Sequence, residues 1–310
     1  MPGIGIIANP HSKSNKRSML EVRRMTGQLG QSDYITVTRD LEHLDETLKE
    51  YKRLALDWIG INGGDGTVSQ VITRLIHLYG PQNCPAVLVL GGGTMNLVAR
   101  QLGLIQRPHQ ILAEMKARQS ATDRLVFERL MTLKVNGHFG FLYADQSSTA
   151  ILEEYYLKKN GHAGAIWLSV RLVKSCLSKG SLIKKLVQKH RVELDFRPQG
   201  RFEAETLGCF AASITKFPLD LPFLQNARRD KGFFQAMAVT CSPEKLLWYM
   251  PRLMLKHKDG PNDGLISYCS QCLFLDYKST SHFTVDGEIY VADDGRISIE
   301  SGPELLFLRR

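Results

Sequence analysis

The sequence predicts an α/β protein with an N-terminal parallel sheet flanked by helices and a second, mainly antiparallel domain. In the first third of the chain, short apolar runs alternate with helical stretches, which is typical of a parallel sheet covered by helices. From about residue 123 onward, strand-like runs follow one another without regular helical crossovers, so antiparallel pairing is expected. At 310 residues and 43% apolar content, the chain is long enough for two domains.

The N-terminal elements are placed by short apolar runs and by helical periodicity. Strands are predicted at 3–8, 34–38, 57–61 and 86–90, and helices at 14–30, 43–54, 67–79 and 108–118. The third helix has the clearest pattern, because its apolar residues recur with the spacing of one helix face. That stripe is expected to pack in the core and consists of Val68, Val71, Ile72, Leu75, Ile76 and Tyr79.

The second domain is predicted to contain six strand segments and two helical ones. The strands are expected at 125–135, 138–144, 190–196, 207–214, 233–240 and 282–291. The helices are expected at 150–177 and 242–257. Their aromatic and aliphatic faces favour packing on a sheet, and a groove for acyl chains is the alternative.

Composition limits the classes of partner. The chain contains no apolar run of about 20 residues and does not begin like a signal peptide, so a cytoplasmic location is expected. A formal net charge of +9 favours nucleic acid, an anionic membrane or a polyphosphate, and no nucleic-acid-binding signature supports the first of these. The six scattered cysteines are expected to be free thiols, and the C-x-x-C at 269–272 lacks the partners of a zinc site.

The strongest chemical signal is N-G-G-D-G-T at 62–67, between a predicted strand and a predicted helix. Such a turn presents backbone N–H groups and the positive end of a helix dipole to phosphate oxygens. Asp65 would repel a bare polyphosphate, so its carboxylate is expected to need Mg²⁺ or a substrate hydroxyl as a partner. A purely structural turn is an equal alternative from glycine content alone. The glycines concerned are Gly63, Gly64 and Gly66.

A second loop of the same design favours phosphate binding. The predicted strand at 86–90 runs into G-G-G-T-M-N at 91–96, where Gly92 and Gly93 precede Thr94, the expected helix N-cap. Glycine turns at the carboxyl ends of parallel strands converge on the crevice where ligands of open α/β sheets bind.

A third loop follows the first predicted strand. In it, Asn9 and Ser12 can bond phosphate, and Lys16 or Arg17 can neutralise its charge. Neither P-loop spacing nor G-x-G-x-x-G occurs in these loops, which argues against a P-loop and against a dinucleotide-binding Rossmann site.

Four ordered motifs resemble those of the diacylglycerol kinase catalytic family, which includes soluble bacterial diacylglycerol kinases and sphingosine kinases. They are N-P-x-S at 9–12, G-G-D-G-T at 63–67, G-G-T-M-N-L-V-A-R-Q-L-G at 92–103 and V-D-G-E at 285–288. The resemblance implies a three-layer α/β domain like those of phosphofructokinase and NAD kinase, then a β-sandwich-like domain for the lipid. The implied bounds are 1–122 and 123–299, with 300–310 returning to the first domain.

The resemblance also implies an activity, which is ATP-dependent and Mg²⁺-dependent phosphorylation of a lipid hydroxyl, as in diacylglycerol. Asp65 and Asn96 would lie near the transferred group, Asp286 would accept the proton of the attacking hydroxyl, and Glu288 would help Asp65 to hold Mg²⁺. The nucleotide phosphates would contact Asn9, Ser12, Lys16, Arg17, Gly63, Gly64, Gly66, Thr67, Gly92, Gly93, Thr94 and Asn96.

Three positions depart from the family pattern. Lys13 replaces a glycine of the first loop, and Leu97 stands where many diacylglycerol kinases have Asp. Lys231 replaces the second Asp of a structural Mg²⁺ segment, so that metal site is predicted to be lost, with the Lys231 ammonium in place of the cation. Asp263, in a similar N-D-G-L segment, lies at the wrong distance from Asp286 to substitute for it.

Two other functions stay open from the sequence: an NAD kinase-like enzyme, which shares G-G-D-G-T, and an inactive lipid- or nucleotide-binding relative. As a lipid kinase, the chain is expected to dock reversibly on an anionic membrane through its basic residues. Apolar residues of F-P-L-D-L-P-F-L at 217–224 are expected either to dip into the bilayer or to be buried. A homodimer is compatible with the sequence, and nucleic acid is not an expected partner.

Overall fold

A computed structural model describes residues 3–16, 18–120, 125–158, 186–217, 224–242, 245, 260–262 and 264–310. The chain forms two compact units. The N-terminal unit comprises Met1–Thr132, Lys216–Pro218 and Pro303–Arg310, and the C-terminal unit comprises Leu133–Thr215 and Leu219–Gly302.

The N-terminal unit is built on a parallel sheet with the strand order β2-β1-β3-β4-β17. These strands are β1 (Ile4–Ala8), β2 (Tyr34–Val37), β3 (Trp58–Gly63), β4 (Ala86–Gly91) and β17 (Arg296–Arg309), of which the last contributes its residues from Pro303 onward. Every residue of β1 and β3 is buried, as expected for parallel strands covered on both faces. In register, Ala8 lies beside Asn62 and Gly63 beside Gly91, so these three strands end level with one another.

Five helices accompany this sheet, and α1 packs against α5 while α2 packs against α3. They are α1 (Leu20–Thr26), α2 (Leu41–Arg53), α3 (Asp65–Tyr79), α4 (Leu97–Gln101) and α5 (Pro108–Ser120). The predicted stripe of α3 is buried except for Tyr79, which is half-buried. Each fully buried aliphatic side chain of this kind contributes roughly 1.5–3 kcal/mol.

Helix α1 begins at Leu20, and the prediction that it begins near residue 14 is wrong. The preceding residues form a loop in which Ser12 and Asn15 accept or donate local hydrogen bonds. Ser and Asn side chains offer the backbone such alternatives to a helix. The left-handed φ of 51° at Met19 then keeps this loop separate from the helix.

In its described residues, the C-terminal unit contains two antiparallel sheets and the helix α6. One sheet has the order β12-β13-β11-β10-β7-β15-β16, and the other the order β17-β14-β8-β9. The bounds are β7 (Leu142–Asp145), α6 (Ser147–Lys158), β8 (His190–Arg197), β9 (Gly200–Thr206), β10 (Gly208–Ala212), β11 (Phe234–Val239), β12 (Gly260–Asn262), β13 (Leu265–Ser270), β14 (Cys272–Asp276), β15 (Ser281–Val285) and β16 (Glu288–Ala292). The predicted class, an α/β domain followed by an antiparallel one, is confirmed.

Two further strands, β5 and β6, lie between α5 and β7 along the chain. Strand β5 (Val126–Val135) passes from the N-terminal into the C-terminal unit, where it pairs with β6 (His138–Gly140). The helix predicted at 150–177 is observed as α6 up to Lys158, and its remainder lies outside the described residues. Most of the helix predicted at 242–257 lies outside them as well.

The apolar segment at 217–224 is described only at its two ends. Phe217 and Leu224 are 5% and 2% exposed, so neither is available for insertion into a bilayer. The residues between them lie outside the described part of the chain. Within the described ranges, no helix is both long and apolar enough to span a bilayer.

A buried carboxylate on β7 bonds to strand β10 and to the residue that follows β14. Asp145 is fully buried and accepts hydrogen bonds from the hydroxyls of Tyr143 (2.6 Å) and Tyr277 (2.7 Å) and from the backbone N–H of Cys209 (2.6 Å). Desolvation raises the pKa of Asp145 to about 6, although the three donors act in the opposite direction. The folded state therefore holds a proton at a pH where the unfolded chain, with a pKa near 3.9, has released it.

This proton makes a pH-dependent contribution to stability that Asp145→Asn should remove. Because the pKa is raised on folding, the contribution is present at low pH and is lost as the pH rises through about 6. Between about pH 4 and pH 7, the free energy of unfolding of the wild type should therefore fall by roughly 2–3 kcal/mol relative to that of the variant. Urea denaturation at both pH values measures this difference, and parallel pH profiles for the two proteins would contradict it.

Candidate functional site

The candidate site is formed by the three loops that follow β1, β3 and β4 in the N-terminal unit. Since these strands end level with one another, their loops meet at one edge of the sheet. The backbone N–H of Asn9 donates to the carbonyl of Asn62 (2.9 Å), and that of Ser14 donates to the carbonyl of Gly92 (3.1 Å). The backbone N–H of Gly92 donates to the carbonyl of Gly63 (2.7 Å). Direct hydrogen bonds therefore join all three loops.

Side-chain amides fix the β1 loop against the β3 loop. The Asn9 side-chain amide donates to the hydroxyl of Thr67 (2.8 Å). Asn15 is 1% exposed, and its amide donates to the side-chain oxygen of Asn62 (2.7 Å) and to the carbonyl of Asn9 (2.9 Å). Asn62 in turn donates to the carbonyl of Leu90 (3.1 Å), at the end of β4.

Sequence reasoning did not single out Asn15 or the side chain of Asn62 as site residues. The asparagines of these loops are visible in the sequence, but no local pattern indicates that two side chains 47 positions apart form a hydrogen bond. These two side chains are buried and bonded to protein groups, so they hold the loops in position. They are positioning residues in this arrangement.

The glycines allow the loops to touch one another. A Cβ on Gly93 would lie 2.5 Å from the Cα of Gly64, which is a backbone collision. A Cβ on Gly63 would lie 2.5 Å from the Cβ of Thr67, which packs over it. We expected these glycines to make room for phosphate. The structure shows that they are already required by contacts within the protein.

Asp65 links the second and third loops. It is the first residue of α3, and its carboxylate accepts a hydrogen bond from the backbone N–H of Leu97 (2.6 Å), the first residue of α4. Burial raises the pKa of Asp65, and the backbone N–H groups of Leu97, Asn96 and Val98 partly offset that effect. The carboxylate therefore does not depend on a cation or a hydroxyl alone for a partner, because the start of α4 supplies donors.

The cap of α4 differs from the prediction. The N-cap residue is Asn96, with a left-handed φ of 51°, and not Thr94, which is exposed in the preceding turn. The side-chain oxygen of Asn96 points back and accepts from the backbone N–H of Gly93 (2.8 Å). The helix start is instead capped by Asp65 from another element, which local sequence patterns do not reveal.

The remaining residues predicted to bind the nucleotide differ in their exposure. Lys16 is exposed, whereas Ser12 is buried, with its hydroxyl 3.3 Å from that of Ser14. Gly66 lies in the first turn of α3, whose N-cap residue, Gly64, has no side chain to cap the helix. Arg17 lies outside the described residues. The phosphate-binding roles of all these residues stay predictions.

Asp286 and Glu288 lie in the C-terminal unit, in the tight hairpin between β15 and β16. Asp286 and Gly287 have φ angles of 51° and 88°, the left-handed conformation that a two-residue type I′ turn requires. The carboxylate of Asp286 is buried and accepts from the backbone N–H groups of Phe141 (3.1 Å) and Leu142 (2.8 Å). Glu288 is exposed, and partial desolvation raises its pKa.

The fold and the joined loops place the chain among α/β proteins with glycine turns at the carboxyl edge of a parallel sheet, where such proteins bind ligands. Within that class, residues 4–126 match the model of the diacylglycerol kinase catalytic domain. The resemblance seen in the sequence motifs is thereby confirmed. No curated protein matches the chain.

Solved structures agree on the fold. A diacylglycerol kinase from Bacillus anthracis Sterne is similar at 15% identity with a TM-score of 0.65, covering 100% of this chain and 97% of that one. A second chain from the same strain, described as a candidate diacylglycerol kinase, gives 16% identity and a TM-score of 0.71 over the same shares. Yeast NADH kinase, solved with NADH, is similar at 9% identity and a TM-score of 0.52, covering 100% of this chain and 84% of that one. Together with the family match, these likenesses support a kinase-type enzyme.

Asp65 supplies a carboxylate at the junction of the loops, which would fit a Mg²⁺ ion held mainly by nucleotide phosphates. Among the described residues, no group of three or more His, Cys, Asp or Glu side chains could hold a metal. Mg²⁺ is commonly bound through one or two carboxylates and the phosphates of a substrate, so such a group is not needed. Lys231 is exposed, and its proposed replacement of a structural cation stays a prediction; Asp263 lies outside the described residues.

Proposed function

We propose that the chain transfers the terminal phosphoryl group of ATP to a hydroxyl of a membrane lipid such as diacylglycerol. The observation that carries the proposal is the junction of three loops at the carboxyl edge of the sheet, within a domain of the diacylglycerol kinase catalytic family. Two of these loops are glycine turns that lead into helices.

The N-terminal unit would bind the nucleotide phosphates. The start of α3 combines a positive dipole end with backbone N–H groups, and its N-cap residue, Gly64, has no side chain to cap them. The exposed Thr94 and Lys16 lie in the adjoining loops and add a hydroxyl and a positive charge. Hydrogen bonds between the loops fix these groups in advance, so little reordering is needed when a phosphate binds.

Mg²⁺ would be held by the nucleotide phosphates together with Asp65, and Glu288 is the second acid proposed for it. When bound, the ion neutralises charge on the phosphate oxygens. One oxygen of Asp65 already accepts a hydrogen bond from Leu97, which fixes the orientation of the carboxylate. Orientation of a ligand carboxylate by a backbone donor is a common feature of metal sites.

Asp286 would act as the base of the reaction. As the lipid oxygen forms its bond to the terminal phosphorus, its proton passes to the Asp286 carboxylate, and the bond to the bridging oxygen of ADP breaks. The backbone N–H groups of Phe141 and Leu142 orient this carboxylate. Glu288, two residues further on, is exposed beside the same turn.

The proposal is tested by incubating the full chain with labelled ATP, Mg²⁺ and a panel of lipids in mixed micelles. We expect label to appear in a lipid that carries a free hydroxyl, with diacylglycerol, sphingosine and phosphatidylglycerol as separate arms. NAD is included as a further acceptor, because yeast NADH kinase shares the fold. Label in NADP with none in any lipid would replace this proposal by an NAD kinase activity, and no labelled product would favour an inactive relative.

A further inference from the structure

We propose that a surface at the end of α4 docks the chain on an anionic lipid bilayer. This α4 surface consists of Arg100, Ile105, Arg107, Lys216 and Arg310, all of which are exposed. All five belong to the N-terminal unit. The inference rests on the proposed function, because an enzyme whose substrate is a membrane lipid must reach the bilayer.

The apolar member of the α4 surface is Ile105. Its side chain is 72% exposed, the highest value among the large hydrophobic residues that the structure describes. The neighbouring Leu104 and Leu102 are 2% and 1% exposed, so the chain turns two leucines inward and leaves the isoleucine in water. One exposed aliphatic residue is ordinary on its own. Ile105 is unusual because the same surface also carries exposed cations.

Three separate segments of the chain bring cations to this place. The backbone N–H of Lys216 donates to the side chain of Gln101 (3.2 Å), and that of Arg310 donates to the carbonyl of Leu102 (3.2 Å). Arg100 lies on α4 itself and donates from its guanidinium to the carbonyl of Met95 (3.0 Å). These contacts place cations from 115 and 208 positions further along the chain beside the same short helix.

The stretch of chain around α4 supplies no acid of its own to neutralise these cations. The sequence has no Asp or Glu between Asp65 and Glu114. Glu114 accepts from both Arg118 (2.7 Å) and Arg310 (3.3 Å), so one carboxylate is shared by two guanidinium groups. The α4 surface therefore keeps a net positive charge.

A bilayer fits this pattern better than a nucleic acid does. Basic groups attract anionic headgroups by about 1 kcal/mol each, and an aliphatic side chain among them can enter the boundary between headgroups and acyl chains. A nucleic acid would use the cations and leave the isoleucine in water. Loss of two cations should lower membrane partitioning by roughly 30-fold, and loss of Ile105 should lower it further.

The test uses vesicles of phosphatidylcholine alone and vesicles with about 30% phosphatidylglycerol, sedimented with the full chain at low and high salt. The triple variant Ile105→Asn/Arg107→Gln/Lys216→Gln should bind the anionic vesicles at least about 30-fold more weakly than the wild type. Its activity on lipid dispersed in neutral micelles should stay unchanged. The matched control, Arg39→Gln/Leu41→Asn/Lys49→Gln, removes two exposed cations and one exposed leucine elsewhere in the same unit and should bind as the wild type does.

Wild-type binding by the triple variant, or equal binding of the wild type to neutral and anionic vesicles, would overturn the inference. A triple variant that loses affinity for duplex DNA but not for vesicles would also overturn it. If the wild type binds anionic vesicles through this surface yet phosphorylates no lipid, the inference stands and the proposed function fails. Loss of micellar activity in the triple variant would count against a docking role.

Discussion

Asp286→Asn should lower the turnover number by about 10²–10⁴-fold while nucleotide affinity stays near that of the wild type. The variant removes the proposed base and keeps the shape of the side chain. Turnover with the best lipid substrate and the dissociation constant for ATP are the two quantities to measure. A loss confined to turnover is the result expected for a base that takes no part in holding the nucleotide.

Asparagine is the right replacement because of the backbone at this position. Asp286 has a φ of 51°, and asparagine is among the few residues that adopt the left-handed region readily. Its side-chain oxygen can still accept from the backbone N–H groups of Phe141 and Leu142. The substitution therefore separates loss of the carboxylate from collapse of the turn, which Asp286→Ala would not do.

A buried carboxylate bonded to two backbone N–H groups has an alternative role as a structural clamp. That role predicts a lower melting temperature with turnover nearly unchanged in the folded fraction. Asp293→Asn, at an exposed turn of the same unit, is the matched control and should behave as the wild type in both measurements. Unchanged turnover in the Asp286 variant would refute the assignment as base.

Gly93→Ala is the second substitution for which we expect a large effect. The added Cβ would lie 2.5 Å from the Cα of Gly64 and 3.1 Å from the side-chain oxygen of Asn96, so the two glycine turns must move apart. Displacements of about 1 Å in a site of this kind lower activity by about 10²-fold. Overpacking of this degree also destabilises folded proteins by roughly 1–3 kcal/mol. ATP affinity, turnover and urea denaturation together measure the effect.

Gly27→Ala is the matched control for this experiment. Gly27 has an ordinary φ of −66°, and an added Cβ would meet no atom closer than 3.7 Å. The control should keep full activity and wild-type stability or slightly more, because alanine restricts the unfolded chain. If Gly93→Ala were as active as Gly27→Ala, close contact between the loops would not be required for function.

Much of the fold was predictable from local patterns. The buried strands at Ile4–Ala8, Trp58–Gly63 and Ala86–Gly91 were found within a few residues, since parallel strands covered on both faces are continuous apolar runs. The helix at Asp65–Tyr79 was found from its 3.6-residue stripe. The C-terminal unit was predicted less completely. Strand β9 at Gly200–Thr206 alternates half-buried and exposed residues, and its sequence G-R-F-E-A-E-T contains little apolar signal.

Other strands were not predicted because they are defined by their pairing with strands that are distant in the sequence. Strand β14 at Cys272–Asp276 follows β13 after a single residue, and only its pairing with β8 and β17 separates the two. The final strand β17 pairs with β4 through residues 220 positions apart, Phe307 and Val87. Periodicity within a window of a few residues contains no information about such pairings.

The sequence by itself determined the fold class, the resemblance of residues 4–126 to the diacylglycerol kinase catalytic domain and the positions of the glycine turns, because these depend on short-range patterns and ordered motifs. Only the tertiary structure decided how those turns are used. Asp65 caps a helix 32 residues away, Asn15 pairs with Asn62, and Gly93 is small because Gly64 lies against it. The reason is physical: a hydrogen bond or a close contact is set by distance in space, and distance in space is fixed only once the strands have been brought into register.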